Sequence, residues 1–158
     1  KNNATLVALL LFYSSTIFAQ PQPCGPIAEM TPLCADACII CDINGFTGIN
    51  NDGIQGQEPP GFCTGTAHHM QWIGFIAGST NLPLSISVFN CQNNSGLEVG
   101  IYKSLDCQTF QLVSNCDGNI PTNTTQNFTN TEPLTIGQYY YFVMDGNNND
   151  VCSYTINV

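Results

Sequence analysis

The chain has 158 residues, the length of one ordinary domain, and carries eleven acidic side chains against two basic ones, for a net charge of −9. A chain with so few cations cannot hold a phosphate backbone by displacing its counterions, so the composition predicts no nucleic-acid partner. For the same reason it predicts no attachment to an anionic membrane surface.

Residues 1–19 have the pattern of a secretory signal peptide. Lys1 supplies a positive start, and a largely apolar run then leads to Ala19, a small residue suited to cleavage. The run is short and is interrupted by hydroxyl residues at 14–16, which argues against a membrane span. The alternative is that the segment is retained as a hydrophobic strand or anchor.

Nine cysteines in a chain of this size predict a disulfide framework and therefore a secreted or extracellular protein, because a reducing cytosol does not sustain such a framework. The sequence leaves the pairing open. The odd count predicts one cysteine that is free, joined to another chain or paired beyond this sequence. A zinc knuckle is the weaker interpretation, since no clear fourth ligand accompanies Cys34, Cys38 and Cys41. The candidate disulfide residues are Cys24, Cys34, Cys38, Cys41, Cys63, Cys91, Cys107, Cys116 and Cys152.

The rest of the chain divides into two patterns. Residues 20–62 are rich in proline, glycine and cysteine, and we expect an irregular N-terminal arm with one short strand near 44–48. Residues 63–158 alternate apolar and polar side chains in short segments separated by Asn, Asp and Gly turns. About eight strands with no helix between them predict an all-β fold, an antiparallel β-sandwich of jelly-roll type stapled by disulfides.

Five short runs stand out in their order along 34–158, namely CDINGFTG at 41–48, PGFC at 60–63, QWIGFIAGS at 71–79, GLEVGIY at 96–102 and GQYYYFVMDG at 137–146. Together they resemble the N-terminal module of large secreted cell-surface proteins of Bacteroidota. The resemblance implies a jelly-roll or CUB-like β-sandwich that follows the signal peptide in proteins associated with type IX secretion. It implies no catalytic residues.

The turn at 145–150 is the best candidate for a metal site. Asp145, Asn147, Asn149 and Asp150 place carboxylate and amide oxygens close together in the sequence, and Ca²⁺ prefers such ligands. The spacing is not that of an EF-hand. Asp and Asn are also ordinary turn residues, so a turn without metal is the alternative. Calcium is the only cofactor that the sequence suggests.

Two aromatic residues are candidate binding residues, and no catalytic group stands out. Trp72 or Tyr140 could stack on sugar rings or on a protein partner, although Trp72 also suits a core. Strand alternation predicts at least one outward ring in the run 139–141. His68 and His69, the only histidines, would point to opposite faces of a strand, and the acids are scattered, so the sequence predicts no enzyme.

These observations favour a non-enzymatic extracellular module for adhesion or structural association at the cell surface, with a protein or a glycan as partner. One alternative is a self-assembling subunit of an extracellular filament, in which the N-terminal segment adds a strand to another copy of the chain. A second alternative is a calcium-dependent carbohydrate-binding domain of a larger secreted protein.

Overall fold

The computed structural model describes residues 21–25, 28–50, 53, 55–63 and 66–158, so the predicted signal peptide lies outside the described residues. Within these ranges the chain forms ten strands and two single-turn 3-10 helices, Cys34–Asp36 and Asn147–Asn149. None of the helices found there is long and apolar enough to cross a membrane. The strands are β1 (Ile39–Ile40), β2 (Phe46–Ile49), β3 (Gln71–Ile76), β4 (Leu84–Phe89), β5 (Leu97–Lys103), β6 (Gln111–Leu112), β7 (Asp117–Ile120), β8 (Thr124–Phe128), β9 (Tyr139–Gly146) and β10 (Ser153–Asn157).

The strands form two sheets with the topology of a jelly roll. Sheet A has the order β1-β3-β9-β5-β6, with β7 also paired to β5, and sheet B has the order β2-β10-β4-β8. Without the two-residue strands β1 and β6, eight strands remain, in the orders β3-β9-β5-β7 and β2-β10-β4-β8. Each connection between consecutive strands of this set crosses to the other sheet, except β5 to β7. This arrangement confirms the predicted all-β jelly-roll sandwich.

The predicted N-terminal arm contributes one edge strand to each sheet. β2 confirms the short strand expected near 44–48, and it pairs antiparallel with β10. β1 pairs with β3 in the one parallel ladder among the named strands. The arm is therefore built into the sandwich through both of its strands.

The main core lies between the two sheets and follows from strand periodicity. In β4 the burial alternates strictly: Leu84, Ile86 and Val88 are buried, while Ser85 and Ser87 are half-buried on the other face. Branched and aromatic side chains of sheet A meet this face. The central members of this core are Ile73, Phe75, Ile86, Val88, Leu97, Val99, Ile101, Phe142, Met144, Tyr154 and Ile156.

The outer face of sheet A is buried as well, which explains why β3, β5 and β9 show almost no alternation in burial. The arm and the segment before β3 cover it and form a second hydrophobic cluster, which we call the outer layer. Strands buried on both faces read as continuous apolar runs rather than alternating ones. The outer layer consists of Cys34, Ala37, Phe62, Ala67, Met70, Trp72, Tyr102, Tyr141 and Val143.

Four disulfides connect the arm, the strands and the loops. Cys34–Cys107 and Cys63–Cys116 fasten the outer layer, Cys24–Cys38 closes a loop within the arm, and Cys91–Cys152 joins the end of β4 to the start of β10. Cys41 is free and exposed, so the expected framework with one odd cysteine is confirmed. Four disulfides are typical of proteins that fold in an oxidising environment.

Candidate functional site

Sheet B presents its outer face to solvent. Since directly opposed residues of neighbouring strands point to the same side, the ladder registers identify the outward set. We call this set the neutral face. It consists of Thr47, Ile49, Ser85, Ser87, Phe89, Thr125, Asn127, Ser153, Thr155 and Asn157.

A row of hydroxyl groups crosses the centre of the neutral face. The registers align Thr47, Thr155, Ser87 and Thr125 on four adjacent strands. The hydroxyl oxygens of Thr47 and Thr155 lie 3.2 Å apart, and those of Ser87 and Thr125 lie 2.7 Å apart, so each pair is hydrogen-bonded. With neighbouring strands about 4.8 Å apart, the row is about 14 Å long.

A second row borders an open groove at one end of the neutral face. Asn157, Ser85 and Asn127 are opposed across three strands, and their side chains make no hydrogen bond to any part of the chain that the structure describes. The groove has a volume of about 650 Å³. Its remaining lining residues are Pro83, Leu84, Phe128, Thr129 and Val158.

The neutral face carries no formal charge. None of the four strands of sheet B contains Asp, Glu, Lys, Arg or His. The chain has a net charge of −9, and these four strands contribute nothing to it. Hydroxyl and amide groups both donate and accept hydrogen bonds, so the face suits an uncharged polar partner. The alternating serines of β4 indicate in the sequence that this strand has a polar outer face. The alignment of the rows follows only from the register of all four strands.

The turn proposed for calcium uses its first carboxylate to hold the segment before β3. Asp145 is fully buried, and its carboxylate accepts the backbone N–H groups of His68 and His69 at 3.0 Å and 2.6 Å. The Nδ1 atom of His68 lies 3.7 Å from the same carboxylate, and Glu98 is directly opposite in the ladder. Burial raises the pKa of the Asp145 carboxyl, although the two backbone N–H groups act in the opposite direction. Both histidines precede β3 rather than lying in a strand.

The second carboxylate of the turn holds a different loop. Asp150 is fully buried and accepts the backbone N–H groups of Asn93, Ser95, Gly96 and Val151, at 2.6–2.9 Å. Burial opposes its ionisation, but these donors prevail and hold the pKa of the Asp150 carboxyl below its ordinary value.

The other two predicted calcium ligands, Asn147 and Asn149, also contact the loop at 93–96. Asn147 donates its side-chain N–H to the carbonyl of Ser95, and Asn149 is exposed, with its backbone carbonyl bound by the Asn93 amide. The calcium interpretation stays a prediction. Among the described residues, the one close group of potential metal-ligand atoms joins Asp150 of this turn to Cys91 and Cys152, whose sulfurs are already joined in a disulfide.

Opposite pH dependences are expected for two matched variants of this turn. Asp150→Asn should lower the free energy of unfolding by about 2 kcal/mol at pH 7, because it weakens four hydrogen bonds to a buried charge. That cost should shrink below about pH 4, since a carboxyl with a lowered pKa stabilises the fold only while it is ionised. The cost of Asp145→Asn should instead shrink as the pH rises above about 4, because a raised pKa favours the protonated fold. Urea denaturation from pH 3 to 8 measures both, and parallel curves would contradict the assignment.

Neither predicted aromatic binding residue is exposed, so the prediction of a binding platform at Trp72 and Tyr140 was wrong. Tyr140 is 2% exposed: its ring stacks on Phe75 in the main core, and its hydroxyl accepts the backbone N–H of Thr135. Trp72 is 0% exposed in the outer layer. The reason is that sheet A is covered on both sides, so the outward ring of Tyr141 is buried too.

Comparison with known proteins found no matching family model, no matching curated protein and no matching solved structure. The likeness to Bacteroidota surface modules therefore stays a prediction.

Proposed function

We propose that the chain is a non-enzymatic, secreted module for adhesion or structural association, and that it makes its contact through the neutral face. One observation carries the proposal: a whole sheet face displays only uncharged side chains in an acidic protein. A sheet of a sandwich has one face in the core, and the outer face of sheet A is also covered. The neutral face is the extended sheet surface left for a partner among the described residues.

The disulfides and the use of the buried acids support the same proposal. Four disulfides fit work outside the cell, where no thiol pool reduces them. The two fully buried carboxylates of the turn, Asp145 and Asp150, accept backbone N–H groups from loops and so serve the fold. The filament alternative depends on residues 1–19, which lie outside the described part of the chain, and it stays a prediction.

A charge placed at the centre of the neutral face should abolish attachment without unfolding the protein. Ser87→Glu introduces a carboxylate into the hydroxyl row, where a partner would have to desolvate it, and we expect binding to fall at least about tenfold. The measurement is attachment of the labelled protein to intact cells and extracellular matrix of the source culture.

The matched control is Gln111→Glu, which adds the same charge at an exposed position of β6 in sheet A. It should bind like the unmodified protein, and both variants should keep their melting temperatures within a few degrees. Equal attachment of the two variants would rule out the neutral face as the contact surface. Turnover of glycoside, ester or peptide substrates by the purified chain would refute a non-enzymatic role.

A further inference from the structure

We propose that the partner of the neutral face is a neutral polysaccharide, seated in the groove beside Ser85, Asn127 and Asn157. This inference rests on the proposed function and adds the chemistry of the ligand. A sugar ring presents apolar C–H surfaces and a set of hydroxyl groups. The site has to offer the complement of both.

The groove offers that complement. Pro83 and Val158 supply exposed apolar surface, and Phe128 lies beneath them as part of the lining. Asn127 and Asn157 each carry a carbonyl oxygen and an NH₂ group that no described residue engages, so each side chain can accept from one sugar hydroxyl and donate to another. A volume of about 650 Å³ lies within the usual range for small-molecule sites.

The rows behind the groove indicate a polymer rather than a single sugar. The hydroxyl row of Ser87 lies two residues along the strands from the row of Ser85, a distance of about 6.8 Å. Beyond it, Ser153 and Phe89 continue the face. A chain of several sugar units therefore finds uncharged side chains along its whole length, most of them polar.

The charges of the protein indicate that the polysaccharide is neutral and not anionic. Beyond the predicted signal peptide the chain has a single basic residue, Lys103, which lies on β5 in sheet A. No cation is therefore available on the neutral face for a carboxylate or sulfate group, and the net charge of −9 repels polyanions. A neutral polymer meets neither obstacle.

The same observations disfavour a second copy of the chain as the occupant. Interfaces between identical subunits are more apolar than ordinary protein surface, whereas eight of the ten side chains of the neutral face are hydroxyls or amides. Two copies would also bring together two strongly acidic molecules.

The test is affinity electrophoresis and calorimetry of the full chain against soluble neutral polysaccharides, namely a β-glucan, an α-glucan and a galactomannan, with alginate and dextran sulfate as charged counterparts. We expect at least one neutral polymer to bind and neither polyanion to do so. Asn127→Ala combined with Asn157→Ala should weaken that binding about tenfold, because hydrogen bonds to sugar hydroxyls are lost. Asn115→Ala, an exposed asparagine outside the neutral face, should leave it unchanged.

Each other result overturns the inference in a recognisable way. If no polysaccharide binds while Ser87→Glu still abolishes attachment to cells, the proposed function stands and the ligand is not a neutral glycan. Binding of the polyanions, or binding that the double variant leaves intact, places the ligand elsewhere. A dimer in sedimentation analysis that the double variant dissociates assigns the groove to a second copy. If Ser87→Glu leaves attachment to cells intact, the proposed function itself fails.

Discussion

Removal of the disulfide Cys91–Cys152, by replacing both residues with alanine, is expected to lower the free energy of unfolding by about 4 kcal/mol. The two cysteines are 61 residues apart, and the chain-entropy model assigns a stabilisation of this size to a loop of that length. The bond also fixes the end of β4 against the start of β10, beside the buried carboxylate of Asp150. Urea denaturation under non-reducing conditions measures the change.

Two variants provide the scale for this result. Cys41→Ala removes the free, exposed thiol and should change the free energy of unfolding by less than about 0.5 kcal/mol. Loss of Cys24–Cys38, whose residues are 14 apart, should cost about 3 kcal/mol because it closes a shorter loop. If removal of Cys91–Cys152 costs no more than Cys41→Ala, this disulfide does not constrain the unfolded chain as inferred.

The second large effect is expected at Trp72, where alanine should lower the free energy of unfolding by about 4 kcal/mol. The indole is fully buried among the rings of Phe110, Tyr141 and Tyr102, with centroid distances of 5.3, 5.9 and 6.3 Å. Its Nε1–H group donates to the carbonyl of Gln57 at 3.0 Å, so the variant also leaves that carbonyl without its donor. Urea denaturation followed by far-UV circular dichroism gives the value.

The region that Trp72→Ala destabilises is as informative as the size of the stability loss. Thr31 and Trp72 exchange two backbone hydrogen bonds, so in Trp72→Ala hydrogen exchange should accelerate around Thr31 in the arm and much less in β4, β8 and β10 of sheet B. Trp72→Phe keeps a ring in place and should cost about half as much. A cost below about 1 kcal/mol for alanine would mean that the outer layer is a loose cover and not a second core.

The positions of the strands and the all-β fold class could be predicted from the sequence, because both depend on local sequence patterns. In β4 and β10, polar residues alternate with apolar ones, and Asn, Asp and Gly separate the strands, so period and turn chemistry agree. The presence of one cysteine outside the disulfides followed from the odd number of cysteines in the sequence. These signals act within ten residues of the chain, and they do not depend on which strands later become neighbours.

The outer layer could not be predicted, and this explains the error at Tyr140. The sequence of Tyr139–Met144 places apolar or aromatic side chains on both faces of β9. It does not reveal which part of the chain covers the outward face. The cover comes from residues fastened by Cys34–Cys107, a contact across 73 positions. Distant partners also hold Asp145 and Asp150, since the N–H donors His68 and Ser95 lie 77 and 55 residues away.

The neutral face could not be predicted from the sequence for a related reason. Ser85 and Thr155 are ordinary outward residues when each strand is considered alone. Their place in shared rows depends on β10 lying between β2 and β4, a pairing of residues more than sixty positions apart. The composition of such a surface depends on strand register, which a single sequence does not specify.

The positions of the disulfides also determine how the molecule would respond to tension. From Pro21 to Val158, the shortest covalent path crosses Cys24–Cys38, then Cys34–Cys107, then Cys91–Cys152. Most of the chain, including all of β2, β3, β4 and β9, is bypassed by that path and would carry no load once the bonds are taut. A force applied between Pro21 and Val158 could therefore straighten only short pieces of the chain before covalent bonds resist it.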